Sequence, residues 1–445
     1  MRLVALTRVF ARRAGGDAAT LVLSVVAFAV VTLCTTVVTG GAFAFFTFTG
    51  PNASTYRILA LLALILLVIP LASLGGAAAR LAARRRDTRL SSLRLLGASA
   101  GLVSALTVVE STAVALAGAV VGAAASLLAL PLFGLLHFDG RALGGAIWPP
   151  FWVFFAVIGA VALLSAVSAT IGLRSVVLTP LGVRTRVVGA RVRWIRVVIG
   201  AVVVIGAYVA LSALNLIGGI GGMILIYAVL LGCFAAVLSV LGAVGPVVLR
   251  MFGRRWLKRA ARPARLIAAR TVLDDVKAAW RQVGALSSVS FVAVFAGVGV
   301  ALTGSDSTSS VARLLAADIR TGVVLTLIMS FAMVACAIGV NQAAAILDRR
   351  ALYVSLDRVG MPVGVMDAAR RRAVMGPLLV VTIGSAVTAA IVMFPLTGYA
   401  LLVKPLAVGI IAGCLALGIA LVWAGLAATR PVLTRVLATG MPDPA

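Results

Sequence analysis

Few residues in this chain could do chemistry, and their spacing excludes more reactions than it suggests. Glu110 is the only glutamate and His137 the only histidine. Catalysis inside apolar segments would need paired aspartates, an HExxH helix or a serine with a histidine partner. Here the aspartates fall in loops or at the ends of apolar runs. No G-x-x-x-x-G-K-[ST] loop occurs, so ATP has no Walker-type site on this chain. Cys34, Cys233, Cys336 and Cys414 lie far apart in apolar stretches, without metal-ligand spacing. The sequence thus predicts no enzyme, no metal and no cofactor bound by the chain itself. Glu110 falls within an apolar run, where an ionisable side chain is costly and is a functional candidate by default. A structural polar contact and a substrate or proton role both fit it. Asn341, near the end of another run, reads as a hydrogen-bonding group between helices.

The abundant chemistry is cationic. Lys and Arg number 39 against 12 Asp and Glu, a net charge of +27. In a soluble protein that excess would suggest nucleic-acid binding through a continuous basic face. Here the arginines come in bursts between long apolar runs, and no recognition module accompanies them, so nucleic acid is excluded as a partner. With 62% hydrophobic and 11% charged residues, and a mean hydropathy of +1.18, the chain needs lipid as its solvent.

A membrane span takes ~20 apolar residues. Runs of that order predict an all-α polytopic membrane protein with ten helices, near 18–46, 56–80, 100–134, 148–173, 195–214, 217–249, 283–303, 319–346, 373–395 and 405–428. The basic bursts then fall at Arg2 to Arg13, Arg80 to Arg94, Arg174 to Arg196, Arg250 to Arg281, Arg349 to Arg372 and Arg430 to Arg435. All lie on one side. The preference of Lys and Arg for cytoplasmic loops makes that side the cytoplasm, places both termini there, and predicts a multi-pass protein of the cytoplasmic membrane. The opposite connections, 47–55, 135–147, 215–216, 304–318 and 396–404, are short. Trp148 and Trp152 suit an outer interface, Trp194 and Trp423 an inner one. Gly118 with Gly122, and Gly409 with Gly413, predict faces for close helix packing, and Pro70 predicts a kink.

The chain also repeats itself. A shift of 263 residues lays Arg2-Leu3-Val4-Ala5 on Arg265-Leu266-Ile267-Ala268, and Leu23, Ser24, Val26, Phe28 and Val31 on Leu286, Ser287, Val289, Phe291 and Val294. The same shift places Arg86, Ser92, Leu93 and Gly97 on Arg349, Ser355, Leu356 and Gly360. Arg174 meets Arg430 only at a shift of 256, so the second copy is shorter in its last hairpin. This gives a first unit over 1–186, a linking pair of spans over 187–263 and a second unit over 264–445, arranged as 4+2+4 spans with two parallel repeats. Each unit opens on an amphipathic lead: Leu3, Leu6, Val9 and Phe10 in one, Leu266, Ala269, Val272 and Leu273 in the other. Both read as interfacial elbow helices.

The segment joining the second and third spans runs Arg84-Arg85-Arg86-Asp87-Thr88-Arg89-Leu90-Ser91-Ser92-Leu93-Arg94-Leu95-Leu96-Gly97-Ala98-Ser99. Leu90, Leu93 and Leu96 recur at helical spacing, with Arg89 and Arg94 beside them, and Gly97 can close the helix in a left-handed cap. Such a helix could seat in a groove of a soluble partner, or lie in the headgroup layer as a basic amphipathic helix. Its second copy runs from Leu347 to Pro362 and carries Arg349, Leu356, Arg358 and Gly360.

The first copy resembles the signature of the FtsX-like permeases, which include MacB-type exporters, LolCDE-type lipoprotein releasers and BceAB-type resistance transporters. The second copy looks like a diverged version. The resemblance implies an ABC transporter permease whose coupling helices dock a cytoplasmic ABC ATPase, a dimer, with ATP entering only through that partner. Arg86, Arg89, Leu90, Leu93, Arg94, Leu96 and Gly97 would form one docking element, and Arg349, Leu356, Arg358 and Gly360 the other. The expected activity is export or expulsion of an amphipathic peptide, lipid or drug. The alternative is a transmembrane signal transmitter driven by the same kind of ATPase without transport. Two departures stand out. The family's acidic residue in the coupling helix is replaced by Arg89 and Leu352, and the large extracytoplasmic domain of many relatives has no counterpart in 47–55 or 304–318.

Overall fold

A computed structural model describes residues 18–49, 52–84, 100–177, 194–303, 310–403 and 405–438. The chain is an all-α polytopic membrane protein, and ten of the described helices are long and apolar enough to span a bilayer. Helices dominate because hydrocarbon offers no hydrogen-bond partner to the backbone, so each span must satisfy its own peptide groups.

The first unit contains α1 (Ala18–Phe46), α2 (Ala53–Arg84), α3 (Ala100–Gly134) and α4 (Phe151–Val177). Between α3 and α4 lies a hairpin, β1 (His137–Phe138) with β2 (Arg141–Ala142), and a single 3-10 turn, Gly144–Ile147. The sequence pattern had indicated only a short connection here. Asp139 and Gly140 both take positive φ, 54° and 71°, as a tight two-residue hairpin demands. The hairpin tucks Phe138 against Phe45, with ring centres 5.1 Å apart, and Phe45 in turn stacks on Tyr56. Phe138 and Tyr56 are buried, so this end of the unit is closed by an aromatic cap.

The helices of the first unit meet through small residues. A Cβ at Gly118 would stand 2.6 Å from Phe28 Cβ and 2.7 Å from the Val25 carbonyl oxygen, and one at Gly122 only 2.3 Å from the Ala29 carbonyl oxygen. The expected glycine face of α3 therefore packs directly on the backbone of α1. Between α3 and α4 the Ser165 hydroxyl donates to the Ser111 carbonyl at 3.2 Å, both side chains being buried.

The second unit contains α5 (Ile195–Ser212), α6 (Leu214–Lys258), α7 (Pro263–Asp274), α8 (Val276–Thr303), α9 (Ser310–Asp348), α10 (Arg350–Arg358), α11 (Val363–Val403), α12 (Pro405–Ala428) and α13 (Arg430–Ala438), apart from Gly339–Ala345 of α9, which group with the first unit. The pair α5 and α6, read as a link between repeats, packs into this unit: Leu211 and Val237 share a core with Phe291 and Val392. Phe234 joins them edge-on to Phe295 at 4.9 Å.

Equivalent helices pair equivalently. Helices α8 and α11 are the repeats of α1 and α3, and they are also packed together. Where the first copy has Gly118 and Gly122, the second has Val381 and Ser385 at the same shift. There the contact is polar: the Ser287 and Ser385 hydroxyls lie 2.5 Å apart, and Ser385 donates to the Val381 carbonyl at 2.7 Å, which makes Ser287 the donor to Ser385.

Several expectations change. Helix α6 continues to Lys258, past the expected 249, because a helix need not end where its lipid-facing run ends. Helix α11 begins at Val363 and runs through Pro377 and Pro395 to Val403, so the expected loop 396–404 is helical up to 403. A Cβ at Gly409 or Gly413 would meet nothing within 4 Å, so these two do not form the packing face expected of them. On that helix, α12, the close approaches are at Gly418 against Phe331 and at Gly425 against the Ala335 carbonyl oxygen.

These contacts order the glycines by cost. Gly122→Ala should lower stability by about 1–3 kcal/mol, since the new methyl meets backbone that cannot rotate away. Gly409→Ala should be neutral or stabilising by a few tenths of a kcal/mol to about 1 kcal/mol, from helix propensity alone. Thermal unfolding of the two variants in one detergent checks the order; equal loss in both would contradict it.

Candidate functional site

The first candidate element, with Arg86, Arg89, Leu90, Leu93, Arg94, Leu96 and Gly97, lies outside the described residues. Its repeat is fully described and forms α10, a short helix between α9 and α11. Two turns are long enough for one amphipathic face. Val354 is buried, Tyr353 and Leu356 are half-buried, and Arg349, Leu352, Ser355, Arg358 and Val359 are exposed. Leu352 and Val359, seven residues apart and so on one face, are 51% and 86% exposed.

Gly360 ends the helix as its position predicts. Its φ is +87°, its N–H donates to the Asp357 carbonyl at 2.8 Å, and Met361 N–H donates to the Leu356 carbonyl at 3.0 Å. These two bonds form a Schellman cap, which satisfies carbonyls a bare helix end leaves open. Pro362 then forbids continuation. Of the residues assigned to this element, Arg349, Leu356, Arg358 and Gly360 therefore come together on one capped turn-helix-turn, with Leu356 turned partly inward and both arginines outward. Glu110, on α3, and Asn341, on α9, are each half-buried along a span and belong to no such element.

Sequence reasoning missed what holds α10 in place. Residues 430–435 had read only as a basic segment, yet they lie in α13, whose Leu433 and Val436 form a core with Ile346 of α9, joined by Tyr353 and Val363. The signal was present in Val432, Leu433, Val436 and Leu437, which recur at helical spacing.

Beneath α10 sits a buried charge cluster. Asp367 and Arg370, on the first turns of α11, are 8% and 7% exposed. Arg370 Nη2 lies 2.8 Å from Asp367 Oδ1, and Arg371 Nε lies 2.9 Å from Asp367 Oδ2. Arg370 Nη1 donates to the Thr429 hydroxyl, and Nη2 reaches the Leu426 carbonyl at 3.4 Å. The Thr429 hydroxyl itself donates to the Leu426 carbonyl at 2.7 Å. One guanidinium therefore ties the start of α11 to the C-terminal end of α12, where a cation also complements the helix dipole. The spacing of Asp367, Arg370 and Arg371 is that of neighbours on a helix and was readable. The partner Thr429 was not.

Tyr353 connects the two layers. Burial pushes its phenol above the ordinary tyrosine value, opposed by the nearby Arg370 and Arg349. The folded form thus holds a protonated phenol, and the stability this adds is present below about pH 10 and is lost as pH rises further. Cys34 and Cys414 are buried and Cys233 and Cys336 partly so, all of them on spans.

No protein-family model matches the chain, and no curated protein does.

Breaking a buried ion pair from one side leaves an uncompensated charge and typically costs about 3–5 kcal/mol. Asp367→Asn should therefore destabilise the protein by roughly that amount. Asp367→Leu combined with Arg370→Met should recover much of the loss, because a matched apolar pair carries no desolvation cost. Chemical or thermal unfolding in detergent measures both; a harmless Asp367→Asn would show that the cluster holds nothing together.

Proposed function

We propose that this chain is the membrane subunit of an ABC transporter of the FtsX-like, mechanotransmission class. It couples ATP hydrolysis by a separate cytoplasmic ATPase dimer to the export or expulsion of an amphipathic peptide, lipid or drug across the cytoplasmic membrane. The observation that carries this is α10. An exposed, capped amphipathic helix presents Leu352 and Val359 flanked by Arg349 and Arg358, the pairing of apolar anchor and charge by which one helix engages a groove.

Such a helix would be useless for coupling if it swung freely. Tyr353 packs it against the Leu433 and Val436 core of α13, and Asp367, Arg370 and Thr429 bind the start of α11 to the end of α12. Displacing α10 therefore loads two spans at once, through one apolar and one ionic contact. The sequence supplies the rest of the support: segments 84–99 and 347–362 share the family pattern, and two copies in one chain give a dimeric ATPase a docking helix for each half. In this role Arg86 to Gly97 does in the first unit what α10 does in the second. Energy comes from the partner, and the chain's own work is mechanical.

The test is co-purification with a candidate ABC ATPase, followed by ATPase assay of the complex in nanodiscs with and without amphiphiles. Leu352→Asp with Val359→Asp should weaken ATPase binding by at least about tenfold, a loss of about 1.4 kcal/mol, and Leu93→Asp with Leu96→Asp should act likewise. Membrane insertion should be intact in both. Full binding and full stimulation in the four-fold variant would overturn the assignment.

A further inference from the structure

The densest charge in the second unit lies away from α10, on the hairpin that joins α6 to α8. Between Arg250 and Arg281 ten Lys and Arg stand against two Asp. Helix α7 sits in the middle of this stretch. It cannot cross a membrane, since only 259–275 separate two spans, so it lies at the end of the bundle where α6 and α8 enter the apolar layer. Pro263 starts it, and Asp275 ends it by accepting the Ala278 N–H at 2.8 Å, which begins α8 in a new direction.

Its two faces differ in a telling way. Ala264, Ala268, Ala269 and Val272 are buried, and small residues of this kind let the helix lie flat against α6 and α11. Leu273 packs near Gly253 of α6, where a Cβ would stand 2.9 Å from a Leu273 methyl. Leu266, read as part of the apolar stripe of an interfacial helix, is 46% exposed and stands one turn from both Arg262 and Arg270, with the exposed Arg265 next to it in sequence. Two indoles wedge the helices beside this ledge together. A Cβ at Gly376 would lie 2.9 Å from the Trp256 ring, and one at Gly245 would lie 2.1 Å from the Trp280 ring, so both rings are seated in glycine notches of neighbouring helices. Tryptophan favours the level of the headgroups.

We propose that α7 and the adjoining end of α6 bind the phosphodiester headgroups of anionic lipid. Arg262, Arg265 and Arg270 hold the phosphates, while Leu266 enters the acyl boundary between them. Charge complementarity picks an anion, and an exposed leucine with an arginine one turn to either side, at the rim of two spans, picks one that carries acyl chains. This surface is separate from the α10 face and stands whether or not that face docks an ATPase.

The full chain in neutral detergent tests it. Phosphatidylglycerol should raise Tm by several degrees and phosphatidylcholine at equal concentration should not. Native mass spectrometry should find phosphatidylglycerol retained on the protein. The variant R262Q/R265Q/R270Q should lose most of both effects, whereas R349Q/R350Q/R358Q on α10 should keep them. Equal shifts from the two lipids, or equal losses in the two variants, would overturn the proposal. So would glycerol phosphate reproducing the shift, which would mean a soluble anion, or a polyglutamate peptide reproducing it, which would mean an acidic protein face.

Discussion

Hydrocarbon gives a peptide N–H or C=O nothing to bond to, and the form of this chain follows from that. Each span must close its own hydrogen bonds, so the architecture is a set of helices, and irregular backbone is confined to the ends. Pro131, Pro246, Pro377 and Pro395 all sit inside helices that continue past them. In water each would threaten the helix; in a bilayer the alternative to staying helical is worse. Three side-chain hydroxyls of α1 obey the same pressure, although that of the buried Thr36 is left without a partner. Thr32, Thr35 and Thr39 each return their proton to a carbonyl one turn back rather than leave it unpaired.

The same constraint explains which parts could be read in advance. The ends of α1, α3 and α12 at Phe46, Gly134 and Ala428 coincide with the expected 46, 134 and 428, because there the apolar run and the helix stop together. They part at α6 and α11, where the helix carries on with Arg254, Arg255 and Lys258 in one case and Asp367, Arg370 and Arg371 in the other. Hydropathy marks the edge of lipid and is blind to a helix that emerges from it. The hairpin at His137–Ala142 was hidden for a different reason. An Asp-Gly turn is a strong local signal, but the flanking strands have only two residues each, too few for any period to register.

The α10 region divides along similar lines. Arg349, Leu356, Arg358 and Gly360 were found through internal repetition, and the cap at Gly360 follows from chemistry that glycine alone performs at no steric cost. The supporting layer was out of reach, since Arg370 and Thr429 are 59 positions apart and only folding brings them together. A buried guanidinium answered by a carboxylate, a hydroxyl and a helix-end carbonyl is costly to assemble and costly to dismantle. That makes the tie between the start of α11 and the end of α12 a costly polar contact to break, close to the capped helix whose C-cap Val359 is exposed.

The two repeats differ in how their principal helix pairs grip. Gly118 and Gly122 let α3 lie directly on the backbone of α1. Ser287 and Ser385 meet as two hydroxyls at a single height. A close backbone contact resists separation, whereas a hydroxyl pair also resists sliding: a shift of one residue breaks it and takes from the buried Ser287 hydroxyl its acceptor, while Ser385 keeps its bond to the Val381 carbonyl. The corresponding contacts of the two units thus differ in chemistry, glycine against backbone in one and hydroxyl against hydroxyl in the other.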